Sequence, residues 1–133
     1  LMGGRRLSHL PSFESPVLSK TVGQVAEKDL ARSLDVAAFY SDYQASIGNV
    51  APLIKRDGYA CLVVGNRRVK GITLPTDEIT VELFGALGFS HIETIVRSIP
   101  NKRMPSKNSP TNVTGKLEST MTNEFIVVMR KSC

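Results

Sequence analysis

The strongest constraint on the fold is a strand–helix–strand pattern between residues 59 and 97. YACLVVG (59–65) is a continuous apolar run, residues 76–87 repeat apolar side chains at helical spacing after an N-cap at Thr76, and FSHIETIVR (89–97) alternates as strands do. Two strands joined by a crossover helix are expected to run parallel. The continuous apolar run also predicts that the first strand is covered on both faces.

The segment from Arg97 to Thr122 joins this pattern to a last apolar run, NEFIVVMRK (123–131). Between Ser98 and Leu117 it carries four basic residues and no acidic one, and its composition does not suit a core. Most connections have roughly 2–6 residues, so one of this length is typical of a functional or a disordered segment. Because a loop precedes the last strand, that strand is predicted to be antiparallel to the other two.

The residues before this pattern predict an irregular start followed by helices. Residues 1–22 show no sustained period and are interpreted as an irregular lead before a domain at 23–133. A short helix is predicted over 22–34, and Asp35 is the predicted N-cap of a longer helix, which Pro52 bends or breaks near Gly48-Asn49.

Composition indicates a soluble, single-domain protein with an anionic partner. The chain is 41% hydrophobic and 22% charged, with a net charge of +5 and a pI near 9.5. No apolar run approaches the roughly 20 residues that cross a bilayer, so no membrane contact is expected. Two cysteines make neither a disulfide framework nor a metal site, and a cytoplasmic setting is expected. The N-terminus has no signal-peptide core, and we expect the chain to begin inside a longer protein.

Two basic segments are predicted to lie at one edge of the sheet. Ligands of such sheets bind beyond the carboxyl ends of the parallel strands. Asn66-Arg67-Arg68 follows the first strand, and the segment from Ser98 onward follows the second. Lys and Arg contact phosphates, and Asn, Ser and Thr reach phosphates or base edges. A solvated hairpin tip is the alternative interpretation, and the absence of aromatic residues from the loop argues against single-strand binding.

The sequence lacks the motifs of several common enzyme classes, and this reduces the number of reaction types to consider. The sequence contains no GxGxxG, GxxxxGK[ST], HExxH, CxxC or GxSxG. His91 is interpreted as structural or solvated, Cys61 as a small core residue, and Asp77 and Glu78 as first-turn helix acids.

Three stretches resemble a known family: GYACLVVGNRRVKGITLPTDEITVELFGALGF, RSIPNKRMPSKNSPTN and TMTNEFIVVMRK. About residues 36–133 resemble the C-terminal half of S-adenosylmethionine-dependent DNA methyltransferases that modify exocyclic amino groups of cytosine or adenine. The PNKRMPSKNSPTN loop followed by TM-x-x-E-F-I-V is the most specific part. The resemblance implies an α/β fold: a partial class I, Rossmann-like methyltransferase sheet, of which this chain supplies the last three strands, with an antiparallel final strand and flanking helices.

Two motifs of that family are missing from the chain. The sequence has neither the glycine-rich cofactor loop nor a [DNS]-P-P-[YFW] motif, which in the family lies upstream of the matched region. The resemblance therefore implies a fragment that alone neither binds S-adenosylmethionine well nor transfers a methyl group. Its expected partners are DNA and the missing N-terminal half or a companion subunit, or a second copy pairing through an open sheet edge.

The resemblance implies part of a DNA methyltransferase whose catalytic and cofactor-binding residues lie outside this chain. An RNA amino-methyltransferase of the same fold and a non-enzymatic, basic nucleic-acid-binding module are the alternatives. The residues implied in DNA contact are Arg67, Arg68, Asn101, Lys102, Arg103, Lys107, Asn108, Asn112 and Lys116.

Overall fold

The computed structural model describes residues 7–98, 107–108, 118–119 and 123–132. The helices are α1 (Pro16–Lys28), α2 (Leu30–Val50), a 3-10 turn at Ala51–Leu53 and α3 (Thr76–Gly85). The strands are β1 (Tyr59–Val64), β2 (Arg67–Val69), β3 (Ile72–Leu74), β4 (Phe89–Ser98), β5 (Lys107–Asn108), β6 (Glu118–Ser119) and β7 (Asn123–Lys131).

The main sheet has the order β1-β7-β4, and β7 is antiparallel to both neighbours. The predicted antiparallel return of the last strand is confirmed, and so is the α/β class. Since β1 and β4 both oppose β7, they point the same way, as the strand–helix–strand pattern predicts. They do not share a ladder, however, because β7 lies between them. The assignment to a class I, Rossmann-like sheet remains a prediction.

The helices pack against one face of the sheet at its central strand, β7, and at β1, whereas Val96 of β4 stays exposed on that face. Alternate residues of β1 and β7 point into a shared core, where Ala60 lies opposite Met129 and Leu62 opposite Val127. Val127 and Met129 are fully buried there against side chains of the three helices: Leu18, Val22, Val25, Tyr40, Ile47, Ile79, Leu83 and Phe84.

On the opposite face, side chains of β1 and β4 are exposed, which corrects two predictions. Val63 is 60% exposed and Ile95 is 44% exposed, so β1 is covered on one face and not on both. Cys61 is exposed on the same face, opposite Val128, and is not a core residue. An apolar run does not reveal which face is covered, because every side chain in it is compatible with burial.

The irregular lead is shorter than predicted. α1 begins at Pro16, and the hydroxyl of Ser15 accepts a hydrogen bond from the Leu18 amide as an N-cap. Glu82 of α3 also satisfies this helix end, because its carboxylate accepts from the Ser15 hydroxyl and from the Val17 amide at 3.0 Å. The division of the chain into a lead and a domain remains a prediction.

The first two helices meet at Asp29 and not at Asp35. The Asp29 carboxylate accepts a hydrogen bond from the Arg32 amide at 3.0 Å, and this bond keeps the pKa of Asp29 below its ordinary value. α2 then continues through Gly48 and Asn49 to Val50, so the break caused by Pro52 comes later than predicted.

The end of α2 is held by the last strand. The ammonium of Lys131 donates to the carbonyls of Ala51 at 3.0 Å and Ile54 at 2.8 Å. A cation suits a helix C-terminus, where carbonyls lack intrahelical partners. The residue that fills this role comes from the other end of the chain.

Candidate nucleic-acid interface

The register of the sheet brings the ends of β1 and β4 to one edge. Val64 pairs with Phe125, and Ser98 pairs with Asn123, so both strands end beside the start of β7. The segment that follows β1 contains Arg67 and Arg68, and the segment that follows β4 is the long basic connection. Topology thus brings the segment with Arg67 and Arg68 to the edge at which β4 ends, where the long connection begins in the sequence.

The segment after β1 is a β-hairpin. β2 and β3 pair antiparallel, with Val69 opposite Ile72. Lys70 (φ 53°) and Gly71 (φ 78°) form the connection, and two successive positive φ values are the signature of the type I′ hairpin turn. In the sequence, the pattern that could have indicated this hairpin is a pair of short β-prone runs on either side of Lys70-Gly71.

Contacts to three helix ends fix the hairpin in position. The Asn66 side chain donates to the Asp77 carboxylate at 3.0 Å and accepts from the Asp77 amide at 3.3 Å. At the other end, the Lys70 ammonium lies 3.4 Å from the Asp29 carboxylate, and Lys28 donates to the Lys70 carbonyl. Asp77 is a first-turn acid of α3 as predicted, and its amide and carboxylate also hold the turn that precedes Arg67.

Both predicted arginines of the hairpin are exposed. Arg68 makes a 3.3 Å hydrogen bond from its guanidinium to the Gly71 carbonyl within the same hairpin. Arg67 lines a cavity at the end of β1. Two guanidinium groups on a rigid two-stranded arm can contact phosphates of a nucleic-acid backbone.

An aromatic cavity of roughly 440 Å³ lies beside Arg67. Its walls come from the start of α2, the end of β1 and the hairpin, and it also receives Arg32 and Asp35. The rings of Phe39 and Tyr43 are stacked there with their centroids 6.4 Å apart. In the sequence these aromatics form only the apolar stripe of α2, and nothing in that pattern indicates the cavity.

The two tyrosine hydroxyls of this cavity wall are already paired. Tyr40 bonds to Thr76 and Tyr43 to Thr80, each at 2.7 Å. Burial raises the pKa of both phenols above 10.0, and for Tyr40 the bond to Thr76 and the Arg67 charge oppose that rise. Pro75 is the N-cap residue of α3 and Thr76 is its first helical residue, which corrects the prediction that Thr76 is the N-cap.

Most of the predicted contact residues of the long connection lie outside the described residues: Asn101, Lys102, Arg103, Asn112 and Lys116. Lys107 and Asn108 form β5, whose backbone pairs with Ser119 and Glu118 of β6. The assignment of all these residues to DNA contact remains a prediction.

Other kinds of site find no support in the part of the chain that the structure describes. It contains no cluster of three metal-ligating side chains. None of its helices is long and apolar enough to cross a membrane. His91 is exposed and bonds to Thr94 within β4, in agreement with a structural or solvated role.

Comparison with known proteins supplies a relative. Over 121 residues, or 91% of its length, the chain is 42% identical to the type II methyltransferase M.MvaI of Kocuria varians. The chain matches part of a methyltransferase. The predicted resemblance to methyltransferases is thereby confirmed, over a longer stretch than 36–133. The match spans 27% of that relative's length. No family model and no solved structure matches the chain.

Proposed function

We propose that this chain is the C-terminal part of a DNA methyltransferase that moves a methyl group from S-adenosylmethionine to an exocyclic amino nitrogen of cytosine or adenine. The 42% identity to a type II methyltransferase over 91% of the chain carries the proposal. A type II enzyme is a component of DNA modification and restriction, so duplex DNA is the proposed substrate and the cytoplasm the proposed location.

The proposed role of this chain within the enzyme is to hold DNA. Arg67 and Arg68 stand at the sheet edge where β4 also ends, and both residues are exposed. Phosphate contacts of this kind position the duplex without reading its sequence. Lys102, Arg103, Lys107 and Lys116 would add further phosphate contacts, and Asn101, Asn108 and Asn112 would help to order the connection near the flipped base.

The residues present do not fit the cofactor. The sequence has no glycine-rich loop, and the hydroxyls of Tyr40 and Tyr43 are committed to Thr76 and Thr80. Every buried side-chain polar atom among the described residues has a hydrogen-bond partner, so none of these atoms is left unpaired for a ligand to bind. S-adenosylmethionine and the groups that orient the target amino nitrogen therefore belong, in this proposal, to the part of the enzyme that this chain does not contain.

The decisive experiment measures methyl transfer by the complete protein. Incubation with methyl-labelled S-adenosylmethionine should label duplex DNA on an exocyclic amino group and leave transfer RNA unlabelled. Label in transfer RNA alone would favour an RNA methyltransferase, and label in neither would favour a non-enzymatic nucleic-acid-binding module.

Replacing Lys102, Arg103 and Lys107 together by Ala should weaken DNA binding and flatten its salt dependence.

A further inference from the structure

Three cationic side chains converge at the turn of the hairpin formed by β2 and β3. The Arg68 guanidinium donates to the Gly71 carbonyl at 3.3 Å, and the Lys28 ammonium donates to the Lys70 carbonyl at 3.2 Å. Lys28 comes from the last turn of α1 and is distant from the hairpin in sequence. The three residues Lys28, Arg68 and Lys70 are all exposed, and together they form what we call the cationic tip.

The cationic tip has more hydrogen-bond donors than the fold uses. An ammonium has three donors and a guanidinium has five. Within the described part of the chain, Lys28 and Arg68 each donate to one backbone carbonyl, and the Lys70 ammonium pairs with the Asp29 carboxylate at 3.4 Å. The remaining donors are available to an anion, and a phosphate group offers several acceptor oxygens to such donors.

The cationic tip keeps a positive charge although carboxylates lie nearby. Asp29 pairs with Lys70, and Glu27 precedes Lys28 in α1. These two carboxylates leave the cationic tip and the neighbouring Arg32 with a surplus of positive charge. Because ion pairs between exposed groups are weak, a strongly charged anion can compete with Asp29 for Lys70.

The turn itself gives no reason for a lysine at position 70. Lys70 has a φ of 53°, a left-handed conformation in which Asn, Asp and Gly are the residues favoured in type I′ turns. A lysine is less stable than an asparagine in this conformation. The feature that distinguishes Lys70 from the usual residues of such a turn is therefore its ammonium group.

The cationic tip is held at a defined distance from Arg67. The hairpin is fixed at its base by the bonds between Asn66 and Asp77 and at its turn by the Lys28 ammonium. Three steps along the strand separate Arg67 from Lys70, which corresponds to roughly 10 Å. Since the charges of one DNA strand recur about every 3.4 Å along the helix axis, Arg67 and the cationic tip can reach different phosphates. Cations that are already fixed in place lose less freedom on binding.

We propose that the cationic tip binds the phosphate backbone of duplex DNA beside the phosphate contacted by Arg67, and that this contact is independent of base sequence. Three cations at one point match a charged phosphate better than the neutral acceptors of a base edge. The nearby side-chain amide of Asn66, which could read a base, is committed to Asp77. This inference rests on the proposed function, and it assigns DNA contact to Lys28 and Lys70, which the sequence did not indicate.

The first test measures lysine reactivity in the complete, unmodified protein. Duplex DNA should suppress the reaction of Lys28 and Lys70 with an amine-specific acylating reagent, as mass spectrometry of the labelled peptides would show. Lys20 is the matched control, because it is also an exposed lysine of α1 but lies about 12 Å from Lys28 along the helix axis. Its reaction should be unchanged. Reactivity of Lys28 and Lys70 that DNA does not change, or equal protection of all three lysines, would overturn the proposal.

Two substitutions separate the charge of the cationic tip from its structure. Lys70→Asn removes an ammonium but suits the turn, and Lys28→Gln keeps a donor for the Lys70 carbonyl. In the complete protein, each should reduce the slope of log K against log salt by about 0.9, because one cation no longer neutralises a phosphate. Lys20→Gln removes the same charge from α1 and should leave the slope unchanged.

The affinities of these variants should fall by the same factor for duplexes of different sequence. A loss confined to one sequence would show that the cationic tip reads bases, and equal effects of Lys20→Gln and Lys28→Gln would show that only net charge matters; either result would contradict the proposal. A complete protein that methylates duplex DNA while the variants of Lys28 and Lys70 bind it normally would overturn this inference alone. A complete protein that neither methylates nor binds duplex DNA would overturn the proposed function as well.

Discussion

Tyr40 joins α2 to the start of α3 through a single buried hydrogen bond. Its hydroxyl lies 2.7 Å from that of Thr76. Tyr40→Phe should lower the free energy of unfolding by about 1 kcal/mol, because the hydrogen bond to Thr76 is lost while the ring still fills its space. Urea denaturation measures the change. Tyr59, which is 59% exposed, provides the control, and Tyr59→Phe should leave stability within error. Equal losses would show that the bond has no stabilising role.

The same buried phenols predict a loss of stability in alkali. The folded pKa values of Tyr40 and Tyr43 lie above the ordinary value of 10.0, so the folded state holds these protons more tightly than the unfolded state. Their contribution is complete below pH 10 and falls as the pH rises through the folded pKa values. Denaturation at pH 9 and 11 should therefore show a smaller loss for the double variant Tyr40→Phe/Tyr43→Phe than for the unmodified chain. An identical loss would contradict the assignment.

Arg67 and Arg68 should contribute to nucleic-acid affinity by binding phosphates. Replacing both by Ala should reduce the slope of log K against log salt by about 1.8, because each arginine that no longer neutralises a phosphate lowers the slope by about 0.9. The measurement is a fluorescence titration of duplex DNA with the complete protein at several salt concentrations.

The chain offers a matched control for this pair. Lys55 and Arg56 are also adjacent and exposed, but they precede β1 and so lie at its opposite end. Replacing both by Ala removes the same charge and should leave the slope nearly unchanged. Equal effects of the two pairs would indicate that net charge, and not the sheet edge, governs binding.

At the scale of elements, Gly58 lies in a tight connection, whereas Gly48 lies on an open surface of α2. A Cβ on Gly58 would lie 2.8 Å from the carbonyl oxygen of Lys55, a backbone atom that cannot move aside, whereas one on Gly48 would meet nothing within 4 Å. Gly58→Ala should destabilise the fold by about 1–3 kcal/mol. Gly48→Ala in α2 should stabilise it by about 0.5–1 kcal/mol. Urea denaturation of both variants checks the opposite signs.

The sequence predicted the existence of the central elements well, because their periods are strong. β1, α3, β4 and β7 lie close to their predicted ranges. Helix starts were harder, since Asp29 and Asp35 both precede helix-forming residues and only the hydrogen bond to the Arg32 amide distinguishes them. The exposure of Cys61 and Val63 depends on which face the helices cover, and no local pattern in an apolar run carries that information.

The candidate site, like the fold, was predicted from the sequence only in part. The sequence predicted that Arg67 and Arg68 share an edge with the long connection, because strand direction determines which ends meet. It did not predict the hairpin that carries them or the aromatic cavity. Those features depend on tertiary structure such as the Asn66–Asp77 pair and the position of Phe39 and Tyr43 across the cavity from the end of β1.

At the scale of the whole molecule, β7 holds the sheet together. A chain that ends at Thr122 keeps β1 and β4 but loses the strand with which both of them pair. It also loses Val127, Met129 and the bonds from Lys131 to the end of α2. This truncated chain should lose its β-sheet circular dichroism and its cooperative unfolding transition. Removal of Cys133 alone leaves β7 complete and should preserve both signals.

The central position of the last strand has a consequence for synthesis on the ribosome. β1 and β4 emerge first, but neither can form its ladder until residues 123–131 have left the exit tunnel. The helices can begin to associate earlier, since α1 and α2 need no strand for their own hydrogen bonds. The sheet must therefore form after translation of nearly the whole chain, and until then the unpaired edges of β1 and β4 stay open to chaperones or to neighbouring nascent chains.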